Sequence, residues 1–183
     1  LENGEFKAKL NQILVFYTAD CKTAQRYIAV GLGESDKYTA DFLRQAAASA
    51  AKKVYALIIT KFAVEFMGEE FLSPGDAQAL AEGLIMGSYQ FLNYKKADDD
   101  YNGLESVNVL SDSDIANALV YGVSVASGVV LARDLGNHPS NIATPTYLAD
   151  TAESIAKAGD MKLTIFDRED FEELGFGGIQ GVA

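Results

Sequence analysis

Chemistry that needs an imidazole or a thiolate has one candidate of each in this chain. His138 is the only histidine and Cys21 the only cysteine, so a Ser-His or Cys-His pair would have to recruit one of them. His138 stands between Asn137 and Pro139, which reads as a surface turn. Cys21 stands between Asp20 and Lys22 with no base beside it, which reads as a plain cysteine rather than a stabilised thiolate. Asp98, Asp100, Asn102 and Gly103 match positions 1, 3, 5 and 6 of a calcium-binding EF-hand loop. Position 12, which should supply the bidentate glutamate, is Val109, and the residues leading to it read as a strand rather than a helix. The segment reads instead as a solvated acidic loop. Gly31-Leu32-Gly33 follows an apolar run and could cradle phosphate at a helix start. Only two glycines of the dinucleotide fingerprint are present, several residues before the next helix, so a tight turn is the reading. Glu69-Glu70 and Asp167–Glu173 read as solvated faces and helix-start charges. No catalytic, cofactor-binding or metal-ligating residue is assigned from these patterns.

The elements that would position any site alternate between strand and helix. Gln12–Tyr17 and Arg26–Leu32 are short apolar runs that read as strands. Tyr38–Lys53 places Phe42, Leu43, Ala46, Ala47 and Ala50 at helical spacing, with Thr39 or Ser35 available as a cap. Val54–Thr60 is a continuous apolar and β-branched run, the pattern of a strand covered on both faces. Ser73-Pro74 opens a helix with Leu80, Leu84, Gly87 and Phe91 on one stripe, and Leu104–Leu110 alternates as a strand. A helix from Ser113 to about Leu135 carries Ala116, Gly122, Ser124, Ala126, Ser127, Gly128 and Ala132, small residues that suit the close approach of another backbone. A helix over Pro145–Ala158, a strand over Met161–Phe166 and a short helix capped by Asp167 follow. This alternation predicts an α/β fold with helices on a mostly parallel (mixed) sheet.

Composition narrows the function classes. At 183 residues and 49% hydrophobic, the chain can bury a core and hold one domain, or one domain and part of another. The sequence offers no evident apolar run of the roughly 20 residues that a membrane span needs, nor a basic-apolar leader at its start. One cysteine rules out an internal disulfide and makes an intracellular setting the default, with the cytoplasm as the expected compartment. A formal charge of −11 argues against nucleic acid as a ligand, because phosphate binding depends on lysine and arginine.

The sharpest local pattern is Ala132-Arg133-Asp134-Leu135-Gly136-Asn137-His138-Pro139-Ser140-Asn141-Ile142-Ala143-Thr144-Pro145. Pro139 and Pro145 push the residues before them out of the helical region. Thr144 can then cap a new helix whose first position is Pro145. Physically this is a rigid joint between two helices. Its residue pattern resembles the signature that joins the two domains of leucyl (cytosol) aminopeptidases. Gly4-Glu5-Phe6-Lys7 with Leu14-Val15-Phe16, Arg26–Gly33, Ala81-Glu82-Gly83-Leu84 through Tyr94-Lys95, and Gly175–Ala183 resemble, in the same order, further segments of that family.

The resemblance implies a macro-domain-like N-terminal α/β domain over residues 1–112 with its first strands missing. It implies a linking helix over 113–136 and the start of a C-terminal metallopeptidase domain over 137–183. The fold would be a three-layer αβα arrangement. The parent enzyme would remove N-terminal amino acids from peptides with two divalent metal ions, manganese or zinc, and would assemble as a hexamer. The family's metal-binding and catalytic motifs lie downstream of the joint and match no residue here. The chain is therefore expected to be a fragment, inactive alone and binding no metal itself. Macro-domain likeness also raises an ADP-ribose or nucleic-acid module as an alternative, and the family's hexamers raise a purely structural assembly domain.

Overall fold

The computed structural model describes residues 4, 6–18, 24, 26–67, 72–95 and 103–182. Cys21, Glu69-Glu70 and the acidic stretch from Asp98 to Asn102 lie outside the described residues. The chain forms two compact units, Leu1–Asp134 and Leu135–Ala183.

In the first unit, β1 (Ile13–Tyr17) and β2 (Arg26–Val30) pair antiparallel, from Ile13 opposite Val30 to Tyr17 opposite Arg26. Cross-strand aromatics reinforce the ladder: the Phe16 and Tyr27 rings stack at 5.3 Å, and the Arg26 guanidinium lies 5.3 Å from the Tyr17 centroid. Gly31 then passes so close to Ala8 and Lys9 that a Cβ there would overlap their backbone. Gly33 adopts φ +83°, where glycine is favoured.

Helix α1 (Ala40–Ala56) buries Leu43, Ala46, Ala47, Ala51 and Val54. This corrects the expected strand over Val54–Thr60. Val54 completes the buried stripe of the helix, and burying a valine is worth about 1.5–3 kcal/mol, whereas its helix-propensity penalty is under about 1 kcal/mol. The chain turns at Leu57-Ile58, with Ile58 at φ 55°, and the strand β3 begins only at Lys61 (Lys61–Glu65).

Helix α2 (Pro74–Ser88) starts in a full capping box. The Asp76 amide donates to Ser73 Oγ at 3.1 Å and the Ser73 amide to Asp76 Oδ2 at 3.2 Å. β4 (Ser106–Leu110) pairs parallel with β3, Lys61 opposite Ser106 and Glu65 opposite Leu110, so β3–α2–β4 is a βαβ unit. Phe62, Val64, Val107 and Val109 face a core that includes Leu43, Leu80, Leu84 and Ile115. The α/β class is the one expected from the alternation. Among the described residues its strands form one antiparallel and one parallel ladder.

Helices α1 and α2 run in the same direction at a near-constant offset. Tyr38, just before α1, donates to Asp76, and Arg44 pairs with Glu82. Gly83 lies against the Arg44 carbonyl, and Gly87 lies on Ala48. Alanine facing glycine is what lets the two backbones approach this closely.

Helix α3 (Ala116–Asn137) buries only Gly122 and Ala126. A Cβ on Gly122 would come within 2.6 Å of the Gln78 carbonyl, so the expected backbone approach occurs at this point, against α2. Ser124 and Ser127 instead bond carbonyls of their own helix, and Gly128 has open space around it. By length and composition α3 is apolar enough to cross a membrane, with a mean hydropathy of 1.5, which corrects the expectation that no segment reaches that measure.

The second unit holds α4 (Pro145–Ala158), α5 (Arg168–Glu173) and the single turn α6 (Gly177–Gln180). Met161–Phe166, expected as a strand, forms no ladder. Alternation gives a segment the pleat of a strand, but pairing needs a neighbour, and none lies beside it among the described residues. Met161, Leu163, Ile165 and Phe166 are consequently exposed.

Candidate functional site

The joint forms by the local rules that its sequence suggests. Helix α3 stops at Asn137, and the Pro139 carbonyl accepts from the Ile142 and Ala143 amides at 2.9 and 3.0 Å. Thr144 takes the N-cap position of α4, its hydroxyl accepting from the Tyr147 amide at 3.3 Å, with Pro145 following. His138 is half-buried in this turn. Its ring meets Tyr147 edge-on at 5.5 Å, with Nε2 3.5 Å from the Tyr147 hydroxyl.

On the other side of the joint, the end of α3 is fastened to the end of α2. Tyr89, the residue that terminates α2, donates its hydroxyl to Asp134 Oδ1 at 2.7 Å. Arg133 lies over the Tyr89 ring at 5.5 Å and donates Nη1 to the Met86 carbonyl at 3.2 Å. That carbonyl belongs to the last turn of α2, where backbone acceptors lack helical partners. The Arg-Asp step of the joint thus supplies two different locks, one to a ring and a carbonyl, the other to a phenol.

The remaining candidates resolve similarly. The Gly31 amide donates to the Gln12 carbonyl at 2.8 Å and the Gly33 amide to the Ala8 carbonyl at 3.0 Å, so both are committed and form no phosphate cradle. Asp167 and Asp170 form a capping box on α5. Among the described residues, no three His, Cys, Asp or Glu side chains cluster in a way that could hold a metal ion.

One feature escaped the sequence reading. A shallow groove of about 550 Å³ runs over α1 and α2, lined by Arg44, Lys52 and Arg133 with Gly83, Gly87 and Ala48. Arg44 donates Nε to the buried Glu82 at 2.6 Å and Nη1 to Asp41 at 2.6 Å, and Gln78 donates to the other Glu82 oxygen at 2.7 Å. The bond to Glu82 is the main influence holding the guanidinium charged. Asp41 is held below the usual carboxylate range by the Gln45 amide and then by Arg44. The available signal was the spacing of Arg44, Ala48 and Lys52, four residues apart and so on one face of α1.

Comparison with known proteins decides the family. Residues 1–98 match the cytosol aminopeptidase family N-terminal domain, and residues 130–183 match the catalytic domain of the same family. The chain belongs to the cytosol aminopeptidase family. A probable cytosol aminopeptidase of Roseiflexus castenholzii is 34% identical over 100% of this chain and 39% of its own length. One of Nostoc punctiforme is 35% identical over 98% of this chain and 36% of its own. The chain thus spans under two-fifths of these relatives. Among solved structures, the bottromycin maturation enzyme BotP superposes with a TM-score of 0.80 at 27% identity, covering 93% of this chain and 36% of that one. BotP has also been solved in complex with Mn. A tomato leucine aminopeptidase mutant superposes with a TM-score of 0.79 at 27% identity, over 93% of this chain and 34% of that one. Within the cytosol aminopeptidase assignment, Tyr89 falls in the N-terminal match and Arg133, Asp134 and the joint in the catalytic match. The lock at the end of α3 therefore bonds the two matched stretches to each other.

Proposed function

We propose that the chain is the accessory N-terminal part, linking helix and catalytic-domain opening of a metal-dependent aminopeptidase that removes N-terminal residues from peptides. Residues 1–112, 113–136 and 137–183 take these three parts in that order. The observation that carries the reading is the order of the two family matches with the Ala132–Pro145 joint inside the second. Two divalent ions, manganese or zinc, belong to the complete enzyme. They would activate a water toward the peptide carbonyl, with ligands outside the residues assigned here. The Mn complex of the BotP neighbour supports a metal in the fold family. The complete enzyme is read as a cytosolic hexamer acting on peptides, without a membrane or nucleic-acid role, and these 183 residues are read as inactive alone.

The test compares these residues alone with the same residues fused to the remaining catalytic domain of the Roseiflexus relative. Both are assayed on Leu-p-nitroanilide with added manganese. The fusion is expected to turn over and to be silenced by a chelator, whereas the shorter chain is silent. Chelator-sensitive turnover by the shorter chain, or a folded but inert fusion beside an active Roseiflexus enzyme, overturns the reading.

A further inference from the structure

We propose that the groove over α1 and α2 is a binding site for a compact polyvalent oxyanion carrying two linked phosphoryl groups. Its lining brings together three cations, Arg44, Lys52 and Arg133, and no carboxylate. In a chain of net charge −11 such a gathering of cations stands out. Glu82 and Asp41 behind Arg44 outweigh its single charge, so the attraction comes from Lys52 and Arg133 as directed donors rather than from a net positive field. Lys52 has no hydrogen-bond or ion-pair partner among the described residues.

Both guanidinium groups are held before any ligand arrives. Arg44 is fixed through Nε and Nη1, which leaves Nη2 unengaged among the described residues. Arg133 is fixed through the Met86 carbonyl and the Tyr89 ring. Anchored guanidinium forks lose little freedom on meeting an oxyanion, which is where binding energy is otherwise spent. Ala48, Gly83 and Gly87 line the groove together with the uncharged Gln45, Met86, Tyr89 and Gln90.

Size and length select the ligand class. The volume is that of a small-molecule site rather than a polymer track. Arg44 and Lys52 are eight residues apart on one helix, about 12 Å along its axis. Across that separation the flexible Lys52 reaches toward a ligand held at the fixed Arg44, and an anion with two charged centres spans more of it than a single orthophosphate. The acidity of the whole chain opposes a long polyanion that would extend beyond the groove.

The test is calorimetric titration of the 183-residue chain with inorganic pyrophosphate at low ionic strength. One saturable site is expected, bound more tightly than orthophosphate. Lys52→Glu, on an exposed position, should weaken it about tenfold or more, the scale of one charge-assisted hydrogen bond. Lys61→Glu, an identical charge change on an exposed residue of β3 outside the groove lining, should alter it less than about twofold, because exposed charges away from the ligand are screened. Absence of saturable binding, equal weakening by the two variants, or tighter Lys52-dependent binding of an oligothymidylate would each overturn the proposal.

Discussion

Tyr89 and Asp134, 45 positions apart, are joined by a hydrogen bond of 2.7 Å that ties the terminus of α2 to the last turns of α3. The acceptor is a carboxylate and the site is partly buried, so the bond belongs to the stronger class of side-chain hydrogen bonds. Tyr89→Phe keeps the ring under Arg133 and deletes only the hydroxyl. It should lower stability by about 1–2 kcal/mol. Urea unfolding should show a lower midpoint with an unchanged slope.

Two glycine substitutions should move stability in opposite directions. A Cβ on Gly87 would sit 2.5 Å from Ala48 Cα, backbone that cannot step aside. Gly87→Ala should therefore cost about 1–3 kcal/mol or more through overpacking of α1 on α2. Gly128 has nothing within reach of a new Cβ. Gly128→Ala should stabilise by about 0.5–1 kcal/mol through helix propensity. Thermal midpoints of the pair against the parent check both signs.

Arg44 offers a test of the buried charge beneath the groove. Glu82 is 5% exposed, and Arg44 is its cationic partner at 2.6 Å. Arg44→Ala strands that carboxylate and should cost about 3–5 kcal/mol. The double change Arg44→Ala with Glu82→Gln should recover part of the loss. Denaturant midpoints of Arg44→Ala, Glu82→Gln and the double variant measure the coupling.

Alkaline stability should depend on Tyr38. Burial, and then the hydrogen bond to Asp76, push its phenol above the ordinary tyrosine range. A folded-state value above the unfolded one means that the folded chain holds the proton longer. The contribution is thus complete below the unfolded value of 10.0 and is lost as the pH rises beyond it. Urea midpoints measured from neutral pH to beyond that value should fall less steeply for Tyr38→Phe than for the parent chain.

The joint has its own cap to test. Thr144→Ala removes the hydroxyl that accepts from Tyr147 and should cost about 1 kcal/mol. Far-ultraviolet circular dichroism should show some loss of helix, whereas Thr144→Ser should keep it.

Local signals were the most legible part of the sequence. Ser73-Pro74, Thr144-Pro145 and Asp167 all announced helix starts, because a cap is specified within four residues. Val54 misled because a β-branched apolar run looks alike whether it finishes a buried helix or fills a sheet. Met161–Phe166 misled because alternation reports a residue's two faces and says nothing about a partner strand. The small residues of α3 announced a close contact without saying which of them would make it, and packing on α2 selected Gly122. The lock of Tyr89 on Asp134 and the gathering of Arg44, Lys52 and Arg133 join residues up to 89 positions apart. Only the fold brings them together.

The extended run Met161-Lys162-Leu163-Thr164-Ile165-Phe166 has a practical consequence. Its apolar side chains are in water and its backbone is unladdered, so it offers a ready template on which another copy can grow cross-β contacts. Concentrated preparations of this polypeptide should cloud through that segment first. A charge at Ile165, breaking the apolar alternation, is the change that should keep them clear.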